Sequence, residues 1–409
     1  MTREMTNRAR RHAPLGLAGA IAALYATQGM VGGLIQTALP AALRDSGMAL
    51  DRIGLLHLVF LPWALKVLWA PLVDRPGHHA RRLAFCQTGI ALGIACLAVA
   101  DPTGGGDHLP WLTVAAILLI ATVSATQDVV TDVAAATMSP PGDRPLTGAA
   151  GVCGGYAGFM IGAGLWLPVF AVTGWSAAMV MLTIVTFGLT LAILPIHHRH
   201  VTPPAADRTS GRALLVSVLR DRRIRRILIL LLFYQSGLRF GLAMISPFLV
   251  DAGLPLATIG WIKGAAGAVA GVAGALAGMV VARHLGTGRA LTIVALVDAA
   301  CFLVLAVTAA GSTDPEILAL AVLLQAAATA ATLAVLFAAM LGWCTPGRAA
   351  TELALFQCLD AVIAIGAAML AGLLGQIAGF IPVFGLAAAL LCAAAFSFRT
   401  VLPGTDLRA

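Results

Sequence analysis

Charge is scarce in this chain. Asp, Glu, Lys and Arg make up 11% of 409 residues, against about 25% in soluble domains. With 60% of the residues hydrophobic, a water-filled environment is excluded and lipid is the expected solvent. Cysteine pairs are missing too: the seven cysteines are scattered singly with no C-x-x-C spacing. They read as small buried apolar residues, which excludes a disulfide framework or a zinc site. No phosphate-binding glycine loop precedes a Lys-Ser or Lys-Thr pair, so ATP-driven pumping by this chain alone is not expected. Neither paired histidines nor a Ser/His/Asp set lies in the apolar segments, and no enzymatic activity, cofactor or metal is called for. The net charge of +8 is dispersed among loops, without the basic stripe interleaved with aromatics that nucleic acid would require.

What is present is a regular alternation. Twelve segments are long and apolar enough to cross the ~30 Å hydrocarbon core: 14–38, 52–73, 83–101, 110–138, 146–172, 175–196, 226–250, 256–282, 289–311, 316–342, 348–372 and 375–400. Of the 26 Lys and Arg residues, all but Arg44, Arg52, Lys66, Arg239 and Lys263 fall in the two tails or the even-numbered loops. Loops rich in Lys and Arg stay cytoplasmic during insertion, so both termini are expected inside. The first apolar stretch is too long for a signal peptide and reads as a retained span. The polar stretch 197–225 divides the chain into 1–196 and 226–409, six spans each, and is either a short amphipathic surface helix or a solvated basic linker. A short repeat supports the division: Gly29-Met-Val-Gly-Gly33 against Gly237-Leu-Arg-Phe-Gly241, then Gly47 and Gly54 against Gly253 and Gly260. Parallel six-span halves are the architecture of major facilitator transporters. The fold class expected is therefore an all-α membrane protein of two pseudo-symmetric six-helix bundles.

Ionisable groups inside spans are costly and mark function or pairing. Asp128 and Asp132 lie four residues apart, on one helical face. Counting 1.5 Å per residue from the cytoplasmic ends, Lys66 sits ~12 Å deep, between Asp128 at ~15 Å and Asp132 at ~9 Å. A Lys66/Asp128/Asp132 cluster follows. It either pins spans 2 and 4 or exchanges protons during transport. Arg239 in span 7 either pairs with Asp360 in span 11 or holds an anionic group of the substrate. Tyr25, Gln28, Gln127, Tyr234, Gln235 and Gln357 add hydrogen-bonding groups on spans that would line a pathway; the tyrosines alternatively serve helix packing. Lys263 is expected to snorkel to the headgroups, and His57 to be packed. Asp298 in span 9 finds no partner in the pattern.

Several motifs then narrow the reading. The Tyr25-Ala-Thr-Gln28-Gly run, the Leu-Lys66-x-x-Trp-Ala-Pro-x-x-Asp74-Arg75 run and Gln127-Asp128-x-x-Thr131-Asp132 together resemble the AmpG-like group of major facilitators. That group includes muropeptide permeases, acetyl-CoA transporters and the RhtX/FptX-type siderophore permeases. The Asp74-Arg75-Pro-Gly77 turn with Arg82 is similar to the family's gating loop after the second span. The compact length is closer to the siderophore branch. The resemblance implies a monomeric carrier in a bacterial inner membrane, importing a ferric siderophore by alternating access with protons. The alternatives are a permease for muropeptides or another amphiphilic metabolite, a drug exporter, or a non-transporting receptor.

Overall fold

The computed structural model describes residues 2–69, 79–104, 110–138, 144–191, 220–311, 314–344 and 349–401. Helix α1 (Thr2–Gly33) passes through a π-helical turn, Leu34–Ala38, into α2 (Leu39–Asp45). The next stretch is broken into α3 (Leu50–Leu55), a 3-10 turn Leu56–Phe60, α4 (Leu61–Leu65) and a 3-10 turn Lys66–Leu68. Then come α5 (His79–Val99), α6 (Trp111–Met138) and α7 (Arg144–Phe159), whose π-turn Met160–Leu165 leads into α8 (Trp166–Thr173), followed by α9 (Trp175–Leu191). Beyond the polar stretch lie α10 (Arg222–Asp251), α11 (Leu256–Gly260) and, through a π-turn Trp261–Ala266, α12 (Gly267–Leu285). Helices α13 (Thr287–Ala309), α14 (Pro315–Trp343), α15 (Ala349–Ala378) and α16 (Phe380–Val401) complete the chain.

Among the described residues, ten helices are long and apolar enough to span a membrane, and α9 is a shorter apolar helix. Large apolar side chains point outward along them, Phe85, Val99, Val172 and Ile377 each more than three-quarters exposed. In water such a surface would drive aggregation; in hydrocarbon it is the solvated face. One span departs from expectation. The sequence predicts a single helix over 52–73, but Leu50–Leu68 alternates between α and 3-10 turns. Pro62 explains part of it, because it offers no backbone N–H and its ring crowds the carbonyl four residues back. The tighter turns redirect the side chains that follow, Lys66 among them.

Two compact units form: Met1–Leu39 with Leu65–Ala206, and Pro40–Ala64 with Asp207–Ala409. In the first, α1 lies against α7 through glycines. A Cβ on Gly154, Gly158 or Gly162 would strike the backbone of Ala22, Ala26 or Met30, and one on Gly33 would lie 2.7 Å from the Phe159 carbonyl oxygen. Small residues at four-residue spacing let helix backbones approach, which is how spans associate when lipid removes the hydrophobic drive. We expect Gly158→Ala to force α1 and α7 apart and lower the melting temperature in detergent by several degrees. Gly188→Ala, on α9 with open space around the would-be Cβ, should leave it unchanged or slightly raised, since Ala is the better helix former.

In the second unit, α10 packs on α15 and α16, α13 on α16 and α14, and α12 on α14. Pro40–Ala64 is held there by specific contacts. Arg44 makes a two-pronged bond to Asp251, Nε to Oδ1 at 2.5 Å and Nη2 to Oδ2 at 2.6 Å. The Gln376 amide oxygen accepts from the Leu50 N–H at 2.9 Å. A Cβ on Gly54 would lie 2.7 Å from the Ala368 carbonyl oxygen. The Arg44–Asp251 pair carries no signature in the sequence.

The repeat reappears as matching helix caps. Gly47 has φ +91° and Gly253 φ +84°, a region that disfavours any Cβ. After each, the chain closes the same way: Met48 N–H bonds Leu43 O at 2.9 Å, and Leu254 N–H bonds Leu249 O at 3.1 Å. This is the six-to-one closure of a Schellman motif.

Candidate functional site

The first unit holds one connected polar group on α1, α6 and the turn after α4. Lys66 Nζ donates to Asp128 Oδ2 at 2.5 Å, with the two side chains 16% and 20% exposed. The depth reckoning thus brings together the residues it pairs. A charge-assisted bond of this length in low dielectric is strong, yet its desolvation offsets much of the gain. The Gln28 amide, oriented by its surroundings, donates to Asp128 Oδ1 at 3.1 Å and accepts from the Asp128 N–H at 3.2 Å. The Tyr25 hydroxyl donates to Asp132 Oδ1 at 2.6 Å. Gly151 makes room for this, since a Cβ there would lie 3.0 Å from the Tyr25 ring.

Asp128 therefore carries the lysine and Asp132 the tyrosine. The three expected residues stay within electrostatic reach of one another on one face of α6, with the hydrogen bonds divided between the two acids. Asp132 is exposed and Asp128 only partly so. A change of charge at Asp128 would weaken its contact with Lys66. A carboxylate whose proton decides an interhelical contact is the physical element a proton-coupled switch needs.

Gln127 does not join this group. It is fully buried, and its Nε2 donates to the Leu24 carbonyl at 3.2 Å. Its neighbour along the helix, one residue on, faces a different side, so Gln127 ties α6 to α1 rather than facing a ligand.

In the second unit, Arg239 and Asp360 pair as a fork, Nε to Oδ1 at 2.9 Å and Nη2 to Oδ2 at 2.6 Å, with side chains 23% and 24% exposed. The first of the two expected alternatives for Arg239 is the one the structure adopts. Gln357, one turn before Asp360, is exposed, whereas Gln235 is buried with its Oε1 lacking a hydrogen-bond partner. Tyr234 is also fully enclosed, packed among Ile227, Leu231, Leu291, Val294 and Leu336. Its phenol oxygen reaches Thr332 and Asp298 inside the second unit, whereas Tyr25 is partly exposed. Lys263 likewise departs from the snorkelling expectation: its ammonium donates to Ser246 Oγ at 2.9 Å, turned inward by the π-turn that carries it. His57 is buried as expected. Of the gating loop, Asp74, Arg75 and Gly77 lie outside the described residues, as does most of 197–225; Arg82 is half-buried on α5.

The sequence matches the Major Facilitator Superfamily over residues 21–315, a stretch that holds Lys66, Asp128 and Arg239. The chain belongs to that superfamily. It is 27% identical over 274 residues to the anhydromuropeptide permease of Escherichia coli K12, covering 64% of this chain and 54% of the relative. It is 24% identical over 251 residues to a putative transporter, AmpG 4, of Rickettsia felis, covering 57% and 60%. The chain thus spans little more than half the length of these curated relatives. Among solved structures, an auto-inhibited POT family peptide transporter superposes with a TM-score of 0.74 at 13% identity over 96% of both chains. The nucleoside transporter NupG does so at 0.68 and 15% identity, over 95% of this chain and all of that one. At such identities the likeness establishes the fold. The major facilitator fold and these relatives are those of transporters rather than enzymes, and they place the chain as a multi-pass protein of a bacterial inner membrane. AmpG-like relatives support the resemblance read from the motifs; the siderophore branch finds no support among them.

Proposed function

We propose that this major facilitator imports a cell-wall muropeptide into the cytoplasm by alternating access, driven by protons. The observation that carries this reading is the 274-residue match to an anhydromuropeptide permease, which supports one of the substrates the motif resemblance left open. Ferric-siderophore import, expected from compact length, gives way to it. The chemistry agrees. A muropeptide joins a sugar to a short peptide, so it brings carboxylates and many hydroxyls and amides. Arg239 supplies a planar donor fork suited to a carboxylate, and Asp360 occupies it until a substrate carboxylate exchanges in. Tyr25 and Gln28 offer hydrogen bonds, and the exposed Gln357 offers a further amide. Lys66 and Asp128 carry the coupling proton, with Asp132 held by Tyr25 as its neighbour on α6.

In this reading the chain crosses the membrane twelve times. The ten long helices are joined by α9 and by the broken Leu50–Leu68 segment, both termini lie in the cytoplasm, and the protein works as a monomer. Residues 1–196 and 226–409 are the two six-span repeats in sequence, although Pro40–Ala64 packs in the second compact unit, with 197–225 connecting them and the Asp74–Arg82 loop gating access.

The test is uptake by cells of a strain deleted for its own muropeptide permease and carrying this chain. Labelled anhydromuropeptide should accumulate, and a protonophore should abolish the accumulation. Uptake equal to that of cells with an empty plasmid, alongside accumulation of labelled iron from a ferric siderophore, would overturn the muropeptide assignment.

A further inference from the structure

The charged pairs leave one intramembrane acid unused. Asp298 lies midway along α13, nine residues beyond Arg289, and its exposure is 0%. Its partners come from α14. Gln325 Nε2 donates to Asp298 Oδ1 and to Thr329 Oγ1 at 3.0 Å, and Thr329 Oγ1 donates to the same Oδ1 at 3.3 Å. The Thr332 hydroxyl, also in reach of the carboxyl, donates instead to the Val294 carbonyl at 3.3 Å. Every donor bond to the carboxyl thus falls on Oδ1. Two buried acceptors are left over in this one pocket, Asp298 Oδ2 and Gln325 Oε1, and neither has a hydrogen-bond partner.

Among the described residues, no hydrogen bond or ion pair joins Asp298 to a counter-charge. The titratable groups within electrostatic reach are the Tyr234 phenol on α10 and the Cys301 thiol on α13 itself. On the other packed helices the charged residues sit at helix ends: Arg283 and His284 on α12, Glu316 on α14 and Arg399 on α16. An ionised carboxylate here would be a bare charge in a low-dielectric interior, at a cost of several kcal/mol. Two orphan acceptors remain while the one further hydroxyl in reach, that of Thr332, is spent on a backbone carbonyl, which is a deficit of one hydrogen.

We propose that Asp298 is a proton-binding site, neutral in the membrane and joined to Gln325 as a cyclic acid–amide pair. In that ring the amide N–H bonds Oδ1, as observed, and the acid O–H on Oδ2 bonds the amide oxygen. A single proton satisfies both orphan atoms and removes the uncompensated charge. The transporter thereby carries a proton in its second unit, apart from the Lys66–Asp128 pair on which the proposed coupling rests, and the assignment stands whatever the transported substrate.

Infrared difference spectroscopy of the protein in lipid nanodiscs at neutral pH tests it without any substrate. Wild type minus Asp298→Asn should show the C=O stretch of a protonated carboxylic acid and no carboxylate bands. Gln325→Leu should move that C=O stretch to higher frequency, because the carbonyl keeps only the longer bond from Thr329. Should Asp298→Asn not fold, Asp298→Glu should shift the acid band in place of removing it. Carboxylate bands in the difference spectrum would overturn the proposal. So would an acid band that sodium chloride converts to carboxylate bands, since the pocket would then be a sodium site.

Discussion

Replacing Asp128 with Asn should abolish accumulation of substrate against its gradient while leaving counterflow exchange intact. Asn matches Asp in shape, and its single amide oxygen can turn to accept from Lys66 at the expense of the Gln28 bond, so packing on α6 survives. What changes is that the side chain at this position no longer ionises. The 2.5 Å bond from Lys66 becomes an ordinary ion–dipole contact in both aqueous states, and no proton needs to bind before the helices move. Downhill exchange requires only the conformational cycle and continues. Uphill import requires a step that waits for the proton, and this is lost: the internal concentration should rise only to the external one. Retained uphill accumulation in Asp128→Asn would remove this residue from the coupling mechanism. Asp132→Asn should be milder, because Asp132 is exposed and bonded to a neutral hydroxyl.

The second large effect concerns the Arg239–Asp360 fork. Truncating one partner leaves the other charge mostly enclosed, and removing half of a buried pair typically costs about 3–5 kcal/mol. Total stabilities run to roughly 5–15 kcal/mol, so Arg239→Ala and Asp360→Ala should each give a pronounced fall in melting temperature and poor yield. Replacing both together with apolar residues of similar volume, Arg239→Met with Asp360→Leu, should recover most of the stability, since a well-packed apolar pair often equals a buried ionic one. Transport should not recover, because the guanidinium that receives the substrate carboxylate is gone. Recovery of transport with stability would make the pair purely structural. Full stability of the single variants would mean that water screens the pair far more than its 23% and 24% exposure implies.

Some of this was legible in the sequence, and the reason is depth. Distance along a helix axis follows from counting residues, so Lys66 and Asp128 could be matched by level, as could Arg239 with Asp360 by helix position. Rotation about the axis is not fixed by counting. Gln127 adjoins Asp128 yet faces α1, and Tyr234 shares the level of Tyr25 in the other half yet lies in the core. A few tens of degrees of helix rotation decide such cases, and the π-turns at Leu34–Ala38, Met160–Leu165 and Trp261–Ala266 each shift the phase. The inward turn of Lys263 is one result. The repeat glycines were legible because a positive φ is a local demand: Gly47 and Gly253 close equivalent helix ends. Arg44–Asp251 and Asp298–Gln325 were not, since each pairs residues from helices whose facing sides only packing selects. The break at Leu50–Leu68 was half-legible, as Pro62 announces a disturbance without saying whether the chain kinks or tightens.

Proton movement during substrate entry tests the coupling most directly. Purified protein in proteoliposomes, with membrane potential clamped and a pH dye outside, should take protons from the medium when anhydromuropeptide is added, and Asp128→Asn should take none while still exchanging substrate. Entry of substrate with no alkalinisation outside, or an equal signal from Asp128→Asn, would contradict a proton carried by the Lys66–Asp128 pair.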